Sequence, residues 1–302
     1  TPTPTPVPTV APSYDKIVYL SSSDVWIVNS DGSNETKLTN IGSGGPRSPH
    51  ISPNGREVLW TCPLGSGRAN NICLMNIDGS YPRSIYADDN FKTMQTNWSP
   101  DGSKIVYSGF IDFDDGSPVI MEIYVMNKDG SGKTNLTQDS RDDQYPSWSP
   151  DGNKIVWQRV AAPGNNDAAR TVWVMDADGS NANQITVGRE PSWSPNGDRI
   201  AFVNDRAIWV INSDGTNLTK VHEATIWEVI EVTNGGLNQP SWSPDGNKLV
   251  FGQSLVTNNA GNGSIYFVNL DGSGFSLVFP EADTRISNHA LGGSPHWGPA
   301  AP

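Results

Sequence analysis

Apolar and polar positions alternate along this chain in a repeating order. Six times a hydrophobic run closes on Asn or Asp, one further residue, then Asp-Gly and Ser or Thr. The first copy is Val25-Trp26-Ile27-Val28-Asn29-Ser30-Asp31-Gly32-Ser33, and the others reach Asp78-Gly79, Asp129-Gly130, Asp178-Gly179, Asp214-Gly215 and Asp271-Gly272. Between them lies a second repeat, Trp-Ser-Pro-Asp/Asn-Gly, at Trp98 to Gly102, Trp148 to Gly152, Trp193 to Gly197 and Trp242 to Gly246. Ile51-Ser52-Pro53-Asn54-Gly55 is a variant of it, and Trp297-Gly298-Pro299 a truncated last copy. Successive Asp-Gly copies stand 36 to 57 residues apart. That period belongs to repeat architectures, and strand-turn punctuation predicts propeller blades rather than helical solenoids.

Turn chemistry predicts the same. Asp-Gly between apolar runs is a strong hairpin signal, because a tight turn needs positive φ, which Gly and Asp tolerate. In Ser-Pro-Asp-Gly, Pro presets φ and Gly takes the strained position. Each repeat therefore reads as four strands. Strand a ends at Trp-Ser, strand b is Lys104 to Tyr107 or its equivalent, strand c is Ile123 to Met126, and strand d is Asn135 to Thr137. Strand c is apolar on both faces, as expected of a sheet packed between two others.

The chain ends supply the sixth blade. Asp15-Lys16-Ile17-Val18-Tyr19 matches strand b with no Trp-Ser-Pro before it, and Pro295-His296-Trp297-Gly298-Pro299 matches strand a with nothing after it. Joined, they complete one blade and remove the exposed sheet edges that invite aggregation. The expectation is an all-β, six-bladed propeller of four-stranded antiparallel blades over residues 13–302, its ring closed by the C-terminal strand a. Residues 1–12 form a separate tract.

Composition narrows the function classes. The chain carries 32 acidic and 20 basic residues, a net charge of -12. Nucleic acid and anionic membrane both want a basic footprint, so neither is expected as a partner. No apolar stretch approaches transmembrane length, which argues against direct membrane insertion. The sequence begins without Met or a signal peptide and reads as a mature or excised segment. Its first twelve residues, from Thr1-Pro2-Thr3-Pro4 to Pro12, alternate Pro with Thr, Val and Ala. Such a tract favours extended polyproline II and reads as a spacer, with a disordered tail or a docking arm for a neighbouring subunit as alternatives.

Cys62 and Cys73 bracket the b-c loop of one blade. A hairpin brings them opposite each other, and a disulfide there implies an oxidising, extracytoplasmic compartment. The alternative is two reduced, half-buried thiols.

Repeats such as Tyr145-Pro146-Ser147-Trp148-Ser149-Pro150-Asp151-Gly152-Asn153-Lys154-Ile155-Val156, followed by Val172-Trp173-Val174-Met175-Asp176-Ala177-Asp178-Gly179-Ser180-Asn181, resemble those of the TolB-type (WD40-like) propeller family. The resemblance covers nearly all of the chain after the tract. It implies a periplasmic or otherwise cell-envelope location and binding of protein or peptide partners through the propeller. Similar repeats also form propellers beside hydrolase domains in prolyl oligopeptidase relatives. No Gly-x-Ser-x-Gly occurs here, so peptidase activity is not implied.

The a-b and c-d connections are tight turns and share one face of the disc. The b-c and d-a connections occupy the other and read as long loops, for example 61–70, 108–122, 158–170 and 252–263. Binding residues concentrate on loops held by a rigid scaffold, which places the expected site on that loop face and at the channel mouth. Residues just before strand a should line it: Arg47, Met94, Gln144, Arg189 and Asn238, with Asp143, Glu190 and Gln239 beside them. Arg, amide and carboxylate groups together suit a peptide, a carboxylate or a sugar, although ordinary loop ends carry a similar mix. Trp227 is either an exposed anchor for a partner or a cover for its own blade.

Metal and catalytic signals are thin, and no catalytic residue or cofactor is identified. Asp112, Asp114 and Asp115 alternate in a way that can hold calcium, but without the length or closing Glu of an EF-hand loop. An acidic solvated loop explains them as well. His50 and His296 occupy equivalent strand-a positions in blades that ring closure makes adjacent. Two imidazoles near the axis can bind a metal or serve lyase chemistry, as in some related propellers, or simply pack between blades. Asn-x-Ser/Thr occurs at Asn34, Asn97, Asn135, Asn217 and Asn262, largely at repeated turn positions that explain it without glycosylation. Three functions follow: a non-enzymatic extracytoplasmic protein- or peptide-binding propeller, a structural surface or filament subunit self-assembled through the Thr-Pro tail, and a glycan-binding or glycan-cleaving propeller.

Overall fold

A computed structural model of the chain describes residues 15–21, 24–41, 47–63, 70–88, 91–111, 119–161, 169–224, 237, 239–257, 260–278 and 295–298. They form six four-stranded antiparallel sheets. Blade 1 combines β1 (Lys16–Ser21), β2 (Asp24–Asn29) and β3 (Thr36–Lys37) with β24 (His296–Gly298) from the other end of the chain. Blade 2 holds β4 (Arg47–Ile51), β5 (Glu57–Pro63), β6 (Asn70–Asn76) and β7 (Arg83–Tyr86). Blade 3 holds β8 (Phe91–Trp98), β9 (Lys104–Ile111), β10 (Glu122–Asn127) and β11 (Thr134–Asn135). Blade 4 holds β12 (Asp142–Trp148), β13 (Lys154–Val160), β14 (Arg170–Asp176) and β15 (Asn183–Val187). Blade 5 holds β16 (Arg189–Trp193), β17 (Arg199–Asn204), β18 (Ala207–Asn212) and β19 (Thr219–Glu223). Blade 6 holds β20 (Ser241–Trp242), β21 (Lys248–Thr257), β22 (Ala260–Asn269) and β23 (Ser276–Leu277).

The turn repeats work as their chemistry demands. At the c-d turn of blade 2, Asp78 Oδ1 accepts from the Ser80 amide at 2.9 Å and from its hydroxyl at 2.6 Å, while Asn76 Nδ2 donates to Ser80 Oγ at 2.8 Å. The motif needs Asn, Asp and Ser because those three side chains satisfy the turn's polar groups. At the a-b turn of blade 3, the Ser99 hydroxyl donates to Asp101 and accepts from the Lys104 amide. These bonds to Ser99 and Ser103 hold the Asp101 carboxyl down at about 2.

Blades pack on one another through six separate cores, one per interface. Ile17, Tyr19 and Val28 of blade 1 cluster with Val250, Ile265 and Val278 of blade 6, which closes the ring. Val18, Leu20, Val25 and Ile27 point the other way, onto Ile51, Val58, Trp60 and Met75 of blade 2. The period-2 alternation of each strand therefore feeds two interfaces, and both demand apolar side chains. In backbone terms, Lys16, Ile17 and Val18 pair with Gly298, Trp297 and His296, the expected closure.

Two details differ from the sequence-based expectation. First, 252–263 is not a long loop: β21 and β22 pair from Lys248↔Asn269 out to Thr257↔Ala260. The segment Ala260-Gly261-Asn262-Gly263 has low strand propensity, and the continuous antiparallel pairing with β21 overrides it. Second, strand a begins earlier than expected and carries a bulge. Register shifts fall between Arg47 and His50, Gln144 and Ser147, and Arg189 and Ser192, and one residue earlier, between Thr93 and Thr96, in blade 3. Ser48, Tyr145 and Glu190 inside these bulges have φ of 45°, 54° and 54°. Cys62 and Cys73 are disulfide-bonded with Cα atoms 5.9 Å apart, joining β5 to β6.

Candidate functional site: the axial funnel

The six strands a surround the axis, and their Trp-Ser-Pro ends build a funnel of about 460 Å³. Pro53, Pro100, Pro150, Pro195 and Pro244 of the a-b turns form its rim, with the Trp rings below them. Pro53, Pro100, Pro150 and Pro195 each sit against the next blade's turn glycine, Gly102, Gly152, Gly197 and Gly246. A Cβ on Gly197 would stand 3.1 Å from Pro150 Cγ, closer than a side chain comfortably sits. Sequence reasoning places binding on the opposite, loop-bearing face, whereas this cavity opens at the turn end of the channel.

One column of the repeat lines the funnel's interior: the residue just before the strand-a Trp or Ile. Around the ring it reads His296, His50, Asn97, Ser147, Ser192 and Ser241, one from each blade. Among the described residues the lining contains no Asp, Glu, Lys or Arg. Two members of the column are spent on joining blades. The Ser192 hydroxyl donates to the Pro240 carbonyl at 2.6 Å, and Ser241 Oγ accepts from the Trp297 amide at 3.1 Å. The other four, contributed by blades 1 to 4, keep polar atoms toward the cavity.

The two imidazoles meet as ring closure requires, with centroids 4.5 Å apart and planes tilted by 52°. His296 Nδ1 accepts from the Ile51 amide at 3.2 Å, so its proton resides on Nε2. His50 Nδ1 is buried and has no partner among the described residues. Burial, reinforced by the neighbouring His296, holds His50 well below the usual imidazole range, and burial holds His296 down at about 4. Both rings are therefore neutral at pH 7. A metal does not suit this pair as it stands. With Nδ1 of His296 occupied by an amide N–H, its Nε2 keeps a proton and offers no lone pair. The described residues contain no group of three or more His, Cys, Asp or Glu able to hold a metal ion.

The remaining sequence-predicted residues are mostly tied into the scaffold. Asp143 is fully buried and accepts from Trp157 Nε1 at 2.9 Å, Arg159 Nε at 2.7 Å and Arg159 Nη2 at 2.6 Å. Glu190 pairs with Arg189 and accepts the Gln239 amide at 2.6 Å, and its own amide donates to Gln158. Arg189 also donates to the Leu237 carbonyl at 3.1 Å, and Gln239 Nε2 to the Pro191 carbonyl at 3.1 Å. The bond to Gln158 joins blade 5 to blade 4, and the others join it to the segment entering blade 6. Met94 lies within the blade 3 bulge and Gln144 at the start of the blade 4 bulge, both half-buried within strand a rather than before it. Arg47 is the first residue of β4, with a side chain outside the described residues. Trp227, Asn238, Asp112, Asp114 and Asp115 also lie outside them. Sequence reasoning missed Asn97 and Ser147 as cavity residues, although the polar column before each Trp is legible in the repeat.

No protein-family model and no curated protein matches the chain. Solved structures do. TolB from Acinetobacter baumannii superposes with a TM-score of 0.69 at 16% identity, covering 95% of this chain and 68% of that one. A chain of a nidogen/laminin complex gives 0.71 at 11% identity, covering 95% and 99%. An oligogalacturonate lyase solved in complex with manganese gives 0.50 at 14% identity, covering 86% and 83%. What these likenesses share is the fold: this chain is a six-bladed β-propeller, the architecture it has in common with the TolB structure.

Proposed function

We propose that the chain is a non-enzymatic, extracytoplasmic propeller that binds a protein or peptide segment at its axial channel. The observation that carries this reading is the funnel itself, a preformed cavity with rigid Trp and Pro walls and unpartnered polar groups inside. Its volume of about 460 Å³ lies within the range of small-ligand sites, and a few placed polar groups in an apolar wall are what such sites use for orientation. Proline and tryptophan surfaces bind peptide segments at low entropic cost, because the walls are already ordered. Structural neighbours include TolB and a chain of a nidogen/laminin complex, the latter solved with a protein partner. The Cys62–Cys73 disulfide supports an oxidising compartment.

A glycan-cleaving reading has a fold neighbour in the oligogalacturonate lyase. It needs a general base in the cavity, and among the described lining residues the titratable side chains are the two imidazoles. One has its basic nitrogen engaged by a backbone amide, and the other is held far below neutral basicity. Binding is the better use of the site.

The test is a peptide array probed with the full chain, followed by titration of the hits against intrinsic fluorescence. Trp98, Trp148, Trp193, Trp242 and Trp297 all line the funnel, so a bound segment shifts their emission saturably. Pro244→Arg, at the rim, should abolish that shift. Hits that bind Pro244→Arg unchanged would remove the funnel from the proposal.

A further inference from the structure

Four polar side chains on four consecutive blades line the funnel, His296, His50, Asn97 and Ser147; His296 Nδ1 takes the Ile51 amide, and His50 Nδ1 is buried without a partner among the described residues. We propose that they form a carboxylate-recognition site, which takes the free C-terminal carboxylate of a peptide chain entering along the axis. The proposal rests on the peptide-binding reading above and specifies the ligand group it requires.

The hydrogen-bond inventory selects the ligand. Because His296 Nδ1 accepts the Ile51 amide, Nε2 can only donate. His50 has its Nδ1 buried with no acceptor nearby, and only 8% of the residue is exposed. An orphaned buried N–H is the rarer arrangement, so the tautomer that leaves a bare lone pair on Nδ1 and the proton on Nε2 is favoured. Two imidazole N–H groups therefore point into the cavity side by side. Ser147 and Asn97 add a hydroxyl and an NH2 on the adjoining blades. A carboxylate accepts at about four positions and donates at none, which matches four donors. Bonds to an ionised acceptor are also the stronger kind.

A cation is disfavoured by the same donors. Among the described residues the lining holds no carboxylate, and the turn aspartates Asp101, Asp151 and Asp245 each accept from the Ser hydroxyl two residues earlier at 2.5 to 2.6 Å. Six strands enclose the axis, so a chain reaches these donors end-on, with its last residues against the Trp and Pro walls. The two imidazoles are neutral when the site is empty, and a bound carboxylate raises their proton affinity.

The experiment is a histidine-detected NMR titration of the full chain with acetyl-Ala-Pro-Ala bearing a free carboxylate, beside the same peptide as its C-terminal amide. Galacturonic acid and zinc chloride are separate arms. The expected result is a saturable shift of the His50 and His296 ring signals by the free acid, with the amide weaker by about tenfold or more. In Asn97→Leu and in His50→Phe the preference for acid over amide should fall toward parity; both are checked for folding by the dispersion of the remaining spectrum. If acid and amide bind alike, the carboxylate site is wrong while the peptide reading stands. If galacturonic acid shifts the rings and neither peptide does, the ligand is an acidic sugar and both readings fall. A zinc-induced shift of both rings with loss of the Ile51 amide signal, and no response to the acid, would replace this site with a metal site.

Discussion

Asp143 was a candidate for ligand contact, and the structure makes it a test of how the scaffold is held. Its carboxylate is completely buried and accepts from three donors at 2.6 to 2.9 Å. Burial raises the carboxyl above its usual range, opposed by the Arg159 fork and Trp157 Nε1. Its three hydrogen-bond partners all donate and one of them is the Arg159 cation, so the pair is ionic at pH 7 although the Asp139 carboxylate stands nearby. Asp143→Asn keeps the shape and removes the charge, leaving a guanidinium whose side chain is only 7% exposed. Breaking a buried pair from one side costs about 3–5 kcal/mol. Here Asp139 still stands 2.9 Å from Arg159 Nη2 and is itself a third exposed, so the expected loss lies at the low end, about 3 kcal/mol. At a urea slope of about 2–3 kcal/mol/M the unfolding midpoint falls by about 1 M. Urea unfolding of the full chain at pH 7, followed by fluorescence, reads this directly. The double variant Asp143→Leu with Arg159→Met should recover most of the loss, because an apolar pair removes both desolvation costs. A single variant within about 0.5 kcal/mol of the parent, or a double variant no better than the single one, would refute the argument.

Three further outcomes follow from other parts of the scaffold. Replacing Cys62 and Cys73 together by Ala opens a loop of sequence separation 11 and should cost about 2–3 kcal/mol in the chain-entropy treatment, read as a lower urea midpoint that matches the reduced parent. Gly130 has φ of 86°, and a Cβ there would lie 2.1 Å from the Ile85 carbonyl oxygen, so Gly130→Ala should cost at least about 2 kcal/mol and lower the melting temperature. Glu122 is pushed up to about 7, first by burial and then by the charges of Asp143 and Asp139, against a bond from Thr137. Its raised value means that the unfolded chain ionises first, so stability is lost as pH rises from about 4.5 through 7; after solvent screening, Glu122→Gln should be about 1–2 kcal/mol more stable than the parent at pH 8 and equal to it at pH 4.5 in parallel denaturant titrations.

The architecture was legible because each repeat states its turns in side-chain chemistry. Asn76-Ile77-Asp78-Gly79-Ser80 names the residues that satisfy the turn, and Lys16 to Val18 with His296 to Gly298 names the strands that close the ring. The start of strand a was not legible in the same way. Its bulge places Ser48, Tyr145 and Glu190 at positive φ, a conformation that sequence reading assigns to Gly or Asn. The signal that marks the bulge is the proline that follows each of them, Pro49, Pro146 and Pro191, with Pro240 and Pro295 in the same column. Asp143 and Glu190, expected at the ligand, make bonds that hold the scaffold, while Gln239 both joins the blades and lines the funnel.

This exchange of roles has a physical basis that bears on where function sits. Where the chain is off the ladder its backbone groups need other partners, and the Gln239 amide, just before β20, takes one in the Glu190 carboxylate. Charged residues in that layer are consumed by the fold. One turn further toward the Trp-Ser-Pro end the ladder is regular, and the backbone satisfies itself. Side chains before each Trp are then free for other work. Blades 5 and 6 spend theirs on stapling, through Ser192 and Ser241, while blades 1 to 4 present two imidazoles, an amide and a hydroxyl to the cavity. A six-fold scaffold with a two-to-four division of its polar column is asymmetric at the one place where the backbone imposes no asymmetry. Selection for stability alone would favour the serine staple in every blade, since it leaves no buried polar atom unpartnered, whereas His50 leaves one.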